Sequence, residues 1–218
     1  MNSDSWSVQN VFEVLDKDHS DLASAHTFVR EVFARAYGAD VKKFMPQFVR
    51  ATNRDGQVRA VMGYRDAADG PLYLEHYMDE RIEVAISRYL GEKVERSEIV
   101  EVGNLAEAEA GDARMVIIGA TAYFHAAGYR WVVFTGITRL RNAFVRLGMS
   151  PKQLIEADKR RLPAEEVAQW GSYYDGDPVV CFGSIQEGHD NLQDLWTGLR
   201  DTWAAAEIAG DQILQARG

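Results

Sequence analysis

Cysteine is almost missing: one residue, Cys181, in a chain of 218. That excludes an internal disulfide framework and any multi-cysteine zinc site. The five histidines, His19, His26, His76, His125 and His189, are scattered without metal-ligand spacing, so no metal is expected. No run approaches the roughly 18 apolar residues that span a bilayer. Met1 to Asn10 is polar, without a basic start and apolar stretch, so no secretory leader is expected. Basic residues are outnumbered, 24 against 33 acidic, and the net charge of -9 argues against a general nucleic-acid binder. Repeats and low-complexity tracts are also lacking. These absences favour a reducing, cytoplasmic setting.

What is present is a core-forming chain, 46% hydrophobic, in which the apolar pattern changes period repeatedly. Val11 to Asp16 alternates as a short strand. From Ser20 to Tyr37 the spacing is helical, with Ser20 as the expected N-cap and Gly38 as the stop. A hairpin follows: Pro46 to Asn53, the turn Arg54-Asp55-Gly56, then Gln57 to Arg65. Asp66 to Pro71 is a loop, and Asp79 to Leu90 is helical up to Gly91. Glu98 to Ala106 is a strand whose internal Gly103 signals a bulge or a close backbone approach. A helix opened by Gly111 and Asp112 runs to Ala127. Next come an apolar strand from Tyr129 to Ile137 and a helix from Arg139 to Leu147. This alternation implies a right-handed βαβ crossover. Pro163 to Gln169 is a short helix, and Pro178 to Ile185 a last strand.

The tail reads as one amphipathic helix, Asp190 to Arg217, with Leu192, Leu195, Trp196, Leu199 and Trp203 on one stripe. The stripe packs on the parent domain or on a second copy, making a homodimer. Lipid contact is not favoured, because the polar face carries Asp190, Asp194, Asp201 and Glu207. The expected organisation is a flexible segment 1–10, a domain 11–188 and the C-terminal helix 189–218.

The segments EIVEVGNLA, GDARMVIIGATAYFHAAGYRWVVFTGI and LRNAFVRLGM, in this order of elements, resemble the GNAT acyltransferase superfamily. More narrowly, FARAYGADVKKFMP, PLYLEHYMD, RSEIVEVGNLA, WVVFTGITRLRNAFVRLG and WGSYY resemble the thermostable hemolysin family. There is a more distant likeness to acyl-homoserine-lactone synthases, in which a Glu on the strand equivalent to that of Glu101 is functional. The resemblance implies an α/β (α+β) fold. Its centre is a mixed, mostly antiparallel sheet with a splayed, bulged strand, flanked by helices. It further implies an acyl-thioester arm lying in the splay.

On that footing Glu101 is the candidate base and Asn104 the candidate group positioning the thioester. Burial would have to lift the Glu101 pKa; the alternative is an ion pair with Arg96 or Arg65. The turn formed by Leu105, Ala106, Ala108, Ala110, Gly111, Asp112, Ala113 and Arg114 is the candidate phosphate or pantetheine cradle, at a helix N-terminus. Glu107, Glu109 and Asp112 place negative charge there, and the alternative is an ordinary loop capped by Asp112. Phe33, Phe134, Thr135 and Phe144 are expected in the acyl pocket. Phe144 occupies the place where the superfamily often has a proton-donating Tyr, and a phenyl ring donates no proton. Cys181 reads as a small buried hydrophobe, and Trp170 to Tyr174 as core or pocket aromatics.

Between Arg130 and Arg161 eight basic residues face only Glu156 and Asp158, a net +6. Arg139, Arg141 and Arg146 could dock an acyl carrier protein, or the stretch could meet coenzyme A phosphates; solvated helix ends are the alternative. No permanent cofactor is expected, with acyl-CoA or acyl-phosphopantetheine as co-substrate. The expected activity is transfer of a fatty acyl group to an amine. A membrane-active protein and a catalytically inactive acyl-binding protein are the alternatives.

Overall fold

The computed structural model describes residues 11–53, 55–192 and 200–217. Its elements are β1 (Val11–Leu15), α1 (Leu22–Tyr37), β2 (Gln47–Thr52), β3 (Val58–Asp66), α2 (Ile82–Leu90), β4 (Ile99–Glu107) and α3 (Ala113–Ala126). They continue with β5 (Trp131–Gly136), α4 (Thr138–Arg146), β6 (Lys152–Glu156), α5 (Ala164–Gln169), β7 (Val179–Ser184), α6 (Ile185–Leu192) and α7 (Arg200–Arg217). The seven strands form one sheet in the order β1-β2-β3-β4-β5-β7-β6. All pairs are antiparallel except β4 with β5. The mixed, mostly antiparallel sheet flanked by helices is the architecture expected.

The expected stops at Gly38 and Gly91 are left-handed C-caps with φ of 63° and 73°, a region costly for residues with a Cβ. Other ends differ. The residue before α1 is Asp21, not Ser20, and its side chain makes no capping bond. The helix expected from Asp79 starts at Ile82, whose N–H is taken by Glu75 Oε1 at 3.0 Å. β6 is an unanticipated edge strand; of the expected tail helix, residues 190–192 belong to α6 and 200–217 to α7, and 193–199 lie outside the described residues. α6 leaves β7 directly. The 1–10 segment, Arg54 of the hairpin turn, and Leu195, Trp196 and Leu199 of the stripe lie outside the described residues.

Each sheet face buries its own cluster. Ala60, Met62, Tyr64, Val100 and Val102 pack with Val116 and Ile118 of α3. On the opposite face Phe48, Val61 and Ala106 pack with Val29 and Phe33 of α1, while Ile99 and Val133 pack with Ile82 and Ile86 of α2. α7 lies against α3 so closely that a Cβ at Gly210 would strike Tyr123 O and Ala126 Cβ. Among the described residues no helix is long and apolar enough to cross a membrane.

Candidate active site

β4 is where the sheet comes apart. It pairs with β5 from Ile99↔Trp131 only to Val102↔Phe134, although β4 continues to Glu107 and β5 to Gly136. On its other side, β3 pairs Gly63 with Gly103 and Val61 with Ala106, so Met62 faces two residues, Asn104 and Leu105. This bulge is centred on Asn104, which has φ of 48°. The extra residue reverses the alternation beyond it: Leu105 packs toward α3, and Ala106 toward α1. Strict alternation puts Asn104 on the face of Val100 and Val102. The bulge instead brings it to the loop before β2, where Asn104 Oδ1 accepts the Met45 N–H at 2.9 Å.

Beside the splay lies a cavity of about 860 Å³ walled by α1, α4, the start of α3, the loop carrying Met45 and the segment Trp170–Tyr174. Glu101 lies on its wall, 2% exposed. Its oxygens accept two backbone N–H groups of the 3₁₀ turn Tyr73–Tyr77: Oε2 from Tyr73 at 3.0 Å and Oε1 from Leu74 at 2.8 Å. Neither suspected ion pair forms. Arg96 is held by Glu75 and Glu83, at 2.6 and 2.7 Å. Burial pushes the Glu101 pKa up, against the two amide hydrogen bonds and the charge of Arg65, which hold it down.

The remaining expected residues separate into those that reach the cavity and those that do not. Phe33, Phe134, Thr135, Phe144, Asn104, Leu105, Ala108, Ala110, Gly111, Ala113 and Arg114 line it, as do Arg139 and Arg146. The Phe134 and Phe144 rings pack at 4.8 Å between centroids. Ala106 is buried on the α1 side. Asp112 occupies the N-cap position of α3, but its side chain makes no capping bond: Oδ2 accepts the Glu109 N–H at 3.0 Å and pairs with Arg59 at 2.8 Å. Arg141 bridges the end of β5 and the segment before β7, donating to Gly136 O and Asp177 O. Within the basic stretch Arg130 pairs with Glu98, Arg139 with Glu107, Arg160 with Asp158 and Arg161 with Asp79. Cys181 is buried, and burial pushes its thiol up to about 11.

The anion seat at the start of α3 is taken by the chain itself. Glu107 Oε2 accepts the N–H groups of Gly111 at 3.0 Å and Ala113 at 3.1 Å.

A polar cluster that local sequence does not reveal completes the wall. Tyr73 OH donates to Glu166 Oε1 at 2.7 Å and receives Trp170 Nε1–H at 3.2 Å, while Lys43 Nζ meets Glu166 Oε2 at 2.6 Å. Burial would raise the Glu166 pKa, but the Lys43 and Tyr73 hydrogen bonds outweigh it and hold it low. Tyr173 OH donates to Thr135 O at 3.1 Å, and burial pushes its phenol upward. The Thr135 hydroxyl is buried with no hydrogen-bond partner among the described residues.

A family model described as thermostable hemolysin matches residues 15–189. Comparison with curated proteins gives no match. The fold is similar to that of several solved structures. One is a CoA-dependent acyl-homoserine lactone synthase, BjaI, with SAM and isopentyl-CoA (TM-score 0.58, 12% identity, 91% of this chain and 99% of that one). Another is the AHL synthase LasI (0.57, 15%, 86% and 96%). A third is FeeM, an N-acyl amino acid synthase from uncultured soil microbes (0.56, 14%, 88% and 99%). At these identities the likeness is one of fold.

Proposed function

The chain belongs to the thermostable hemolysin family, and from that membership and the chemistry of the cavity we propose that it is an acyltransferase. It moves a fatty acyl group from an acyl-CoA or acyl-carrier-protein thioester to an amine. One observation carries the reading: a buried carboxylate, Glu101, at the root of a strand splay that opens into a large, mostly apolar cavity. The fold shared with acyl-homoserine lactone and N-acyl amino acid synthases supports it.

In this reading the thioester arm lies between β4 and β5, replacing the missing ladder hydrogen bonds. The orphaned Thr135 hydroxyl meets one of its polar atoms, since buried donors without partners are costly. The acyl chain runs among Phe33, Phe134 and Phe144. The amine nitrogen attacks the thioester carbonyl carbon. Its proton passes, directly or through water, to Glu101, whose two amide bonds leave other lone pairs free. The C–S bond breaks as the C–N bond persists, and the thiolate takes a proton. Phe144 has none to give, so the thiolate leaves unassisted and takes that proton from water. Asn104 keeps a structural bond to Met45 and positions the bulge.

Incubation with acyl-CoA and acyl-carrier-protein donors and a panel of amines, followed by free-thiol release, tests the proposal. Turnover that disappears in Glu101→Gln is expected. No turnover with any donor would overturn it.

A membrane-active reading draws on the exposed Ile208, Ile213 and Leu214 of α7. Liposome leakage that survives Glu101→Gln but vanishes on deletion of 190–218 would favour it.

A further inference from the structure

We infer that Glu107 selects the donor, by filling the anion seat at the start of α3 and so turning away thioesters that carry a nucleotide diphosphate. The inference rests on the acyltransferase reading and narrows its donor.

Glu107 is the last residue of β4, where that strand has already left β5. Its carboxylate bridges two structures. Oε2 takes the Gly111 and Ala113 amides at the start of α3, and Oε1 takes Arg139 Nη2 at 3.0 Å, from the start of α4. Arg139 follows β5 in sequence, so the pair ties together the two strands' ends across the opening. All four residues line the cavity. The Glu107 and Arg139 side chains are 25% and 70% exposed, which places them at its solvent end, remote in burial from Glu101.

First-turn amides and the helix dipole suit one anion at a time. A phosphate entering this seat must first evict a carboxylate that already holds two amide hydrogen bonds and a guanidinium. It would then stand beside that displaced charge, with Glu109 and Asp112 close by on the same turn. Arg59 pairs with these two, at 3.6 and 2.8 Å, and is thereby spoken for. A thioester arm without a diphosphate at this point has nothing to evict. The preferred donor is therefore one whose thiol-bearing arm enters as pantetheine, with its phosphate held outside the seat.

Calorimetric titration with coenzyme A and with pantetheine, on the wild type, Glu107→Ala and Glu107→Gln, tests the inference. Removing the carboxylate should tighten coenzyme A binding by about tenfold or more and change pantetheine affinity less than about twofold, with Gln intermediate. In amide-resolved NMR, coenzyme A should shift Gly111 and Ala113 in Glu107→Ala but not in the wild type. Melting curves establish that each variant is folded, and Arg139→Ala, which leaves the seat filled, should gain much less. Coenzyme A affinity that is unchanged or weaker in both Glu107 variants, with pantetheine still bound, overturns the donor assignment alone. Failure of both probes to bind any form overturns it together with the acyltransferase reading.

Discussion

Glu101 and Arg65 stand directly opposite each other in the β3–β4 ladder, yet no ion pair joins them. Arg65 Nη1 donates to Pro71 O at 2.9 Å, and Glu101 receives the Tyr73 and Leu74 amides. The cation is near enough to favour the carboxylate and too committed to neutralise it. That is a suitable state for a proton acceptor facing an apolar cavity.

Replacing Glu101 with Gln should lower thiol release by about a hundredfold or more, the usual scale of a lost general base. Donor affinity should stay within about twofold of wild type, because a neutral amide of the same shape remains. In the wild type the acid limb of kcat/KM should lie above the ordinary carboxylate value of 4.5. Steady-state kinetics across pH check this, and a limb that persists in the variant removes Glu101 from the role.

Stability should respond to pH with opposite signs at different carboxylates. Glu75 and Glu166 titrate lower in the folded chain than unfolded, so their contributions are present above the ordinary carboxylate range and lost as pH falls through their folded values. Glu101 titrates higher when folded, so its contribution is complete below that range and lost as pH rises through its raised value. Urea midpoints from about pH 4 to about pH 8 should therefore show the wild type losing ground to Glu101→Gln as pH rises. A constant gap contradicts the assignment.

Two glycine substitutions should rank in a stated order. A Cβ on Gly63 would sit 2.7 Å from Met45 Cβ, an atom fixed to the backbone, whereas one on Gly103 would meet Met45 Cε at 2.8 Å, the free end of a flexible chain. Gly63→Ala should cost about 1–3 kcal/mol and Gly103→Ala less than about 1 kcal/mol. Chemical denaturation measures both. Adding Met45→Ala should relieve the Gly103 variant and leave the Gly63 variant impaired.

Gly210→Leu should lift α7 from α3, since even a methyl group there collides with Tyr123 O and Ala126. Hydrogen exchange in α7 should accelerate by about tenfold or more while the β3–β4 amides keep their protection. If thiol release is retained, the tail is separate from the chemistry. Loss of both would join them.

Local signals carried much of the fold. The glycine stops after Tyr37 and Leu90 depend on one residue each, as does the bulge signalled by Gly103. β6 escaped because KQLIE is short, mostly polar and half of its pairing is open to solvent, so it shows no apolar period. The site was half visible. Glu101 was singled out through a family resemblance, and it lines the cavity together with Phe33, Phe134 and Phe144. Lys43 and Glu166, 123 residues apart, are joined only by tertiary packing. The 3₁₀ turn that supplies the Tyr73 and Leu74 amides has no periodicity to read, and the parity reversal at Asn104 depends on a register with β3 that strand alternation alone does not predict.

Met45 rests against both members of the Gly63–Gly103 pair and also borders the cavity. The floor there is thus a movable thioether laid on bare backbone. An occupant longer than the space at rest is accommodated by swinging one unbranched side chain aside, with every strand left in register. On the acyltransferase reading, a Met45→Ala variant should therefore accept longer acyl donors than the wild type, with the strands left in register.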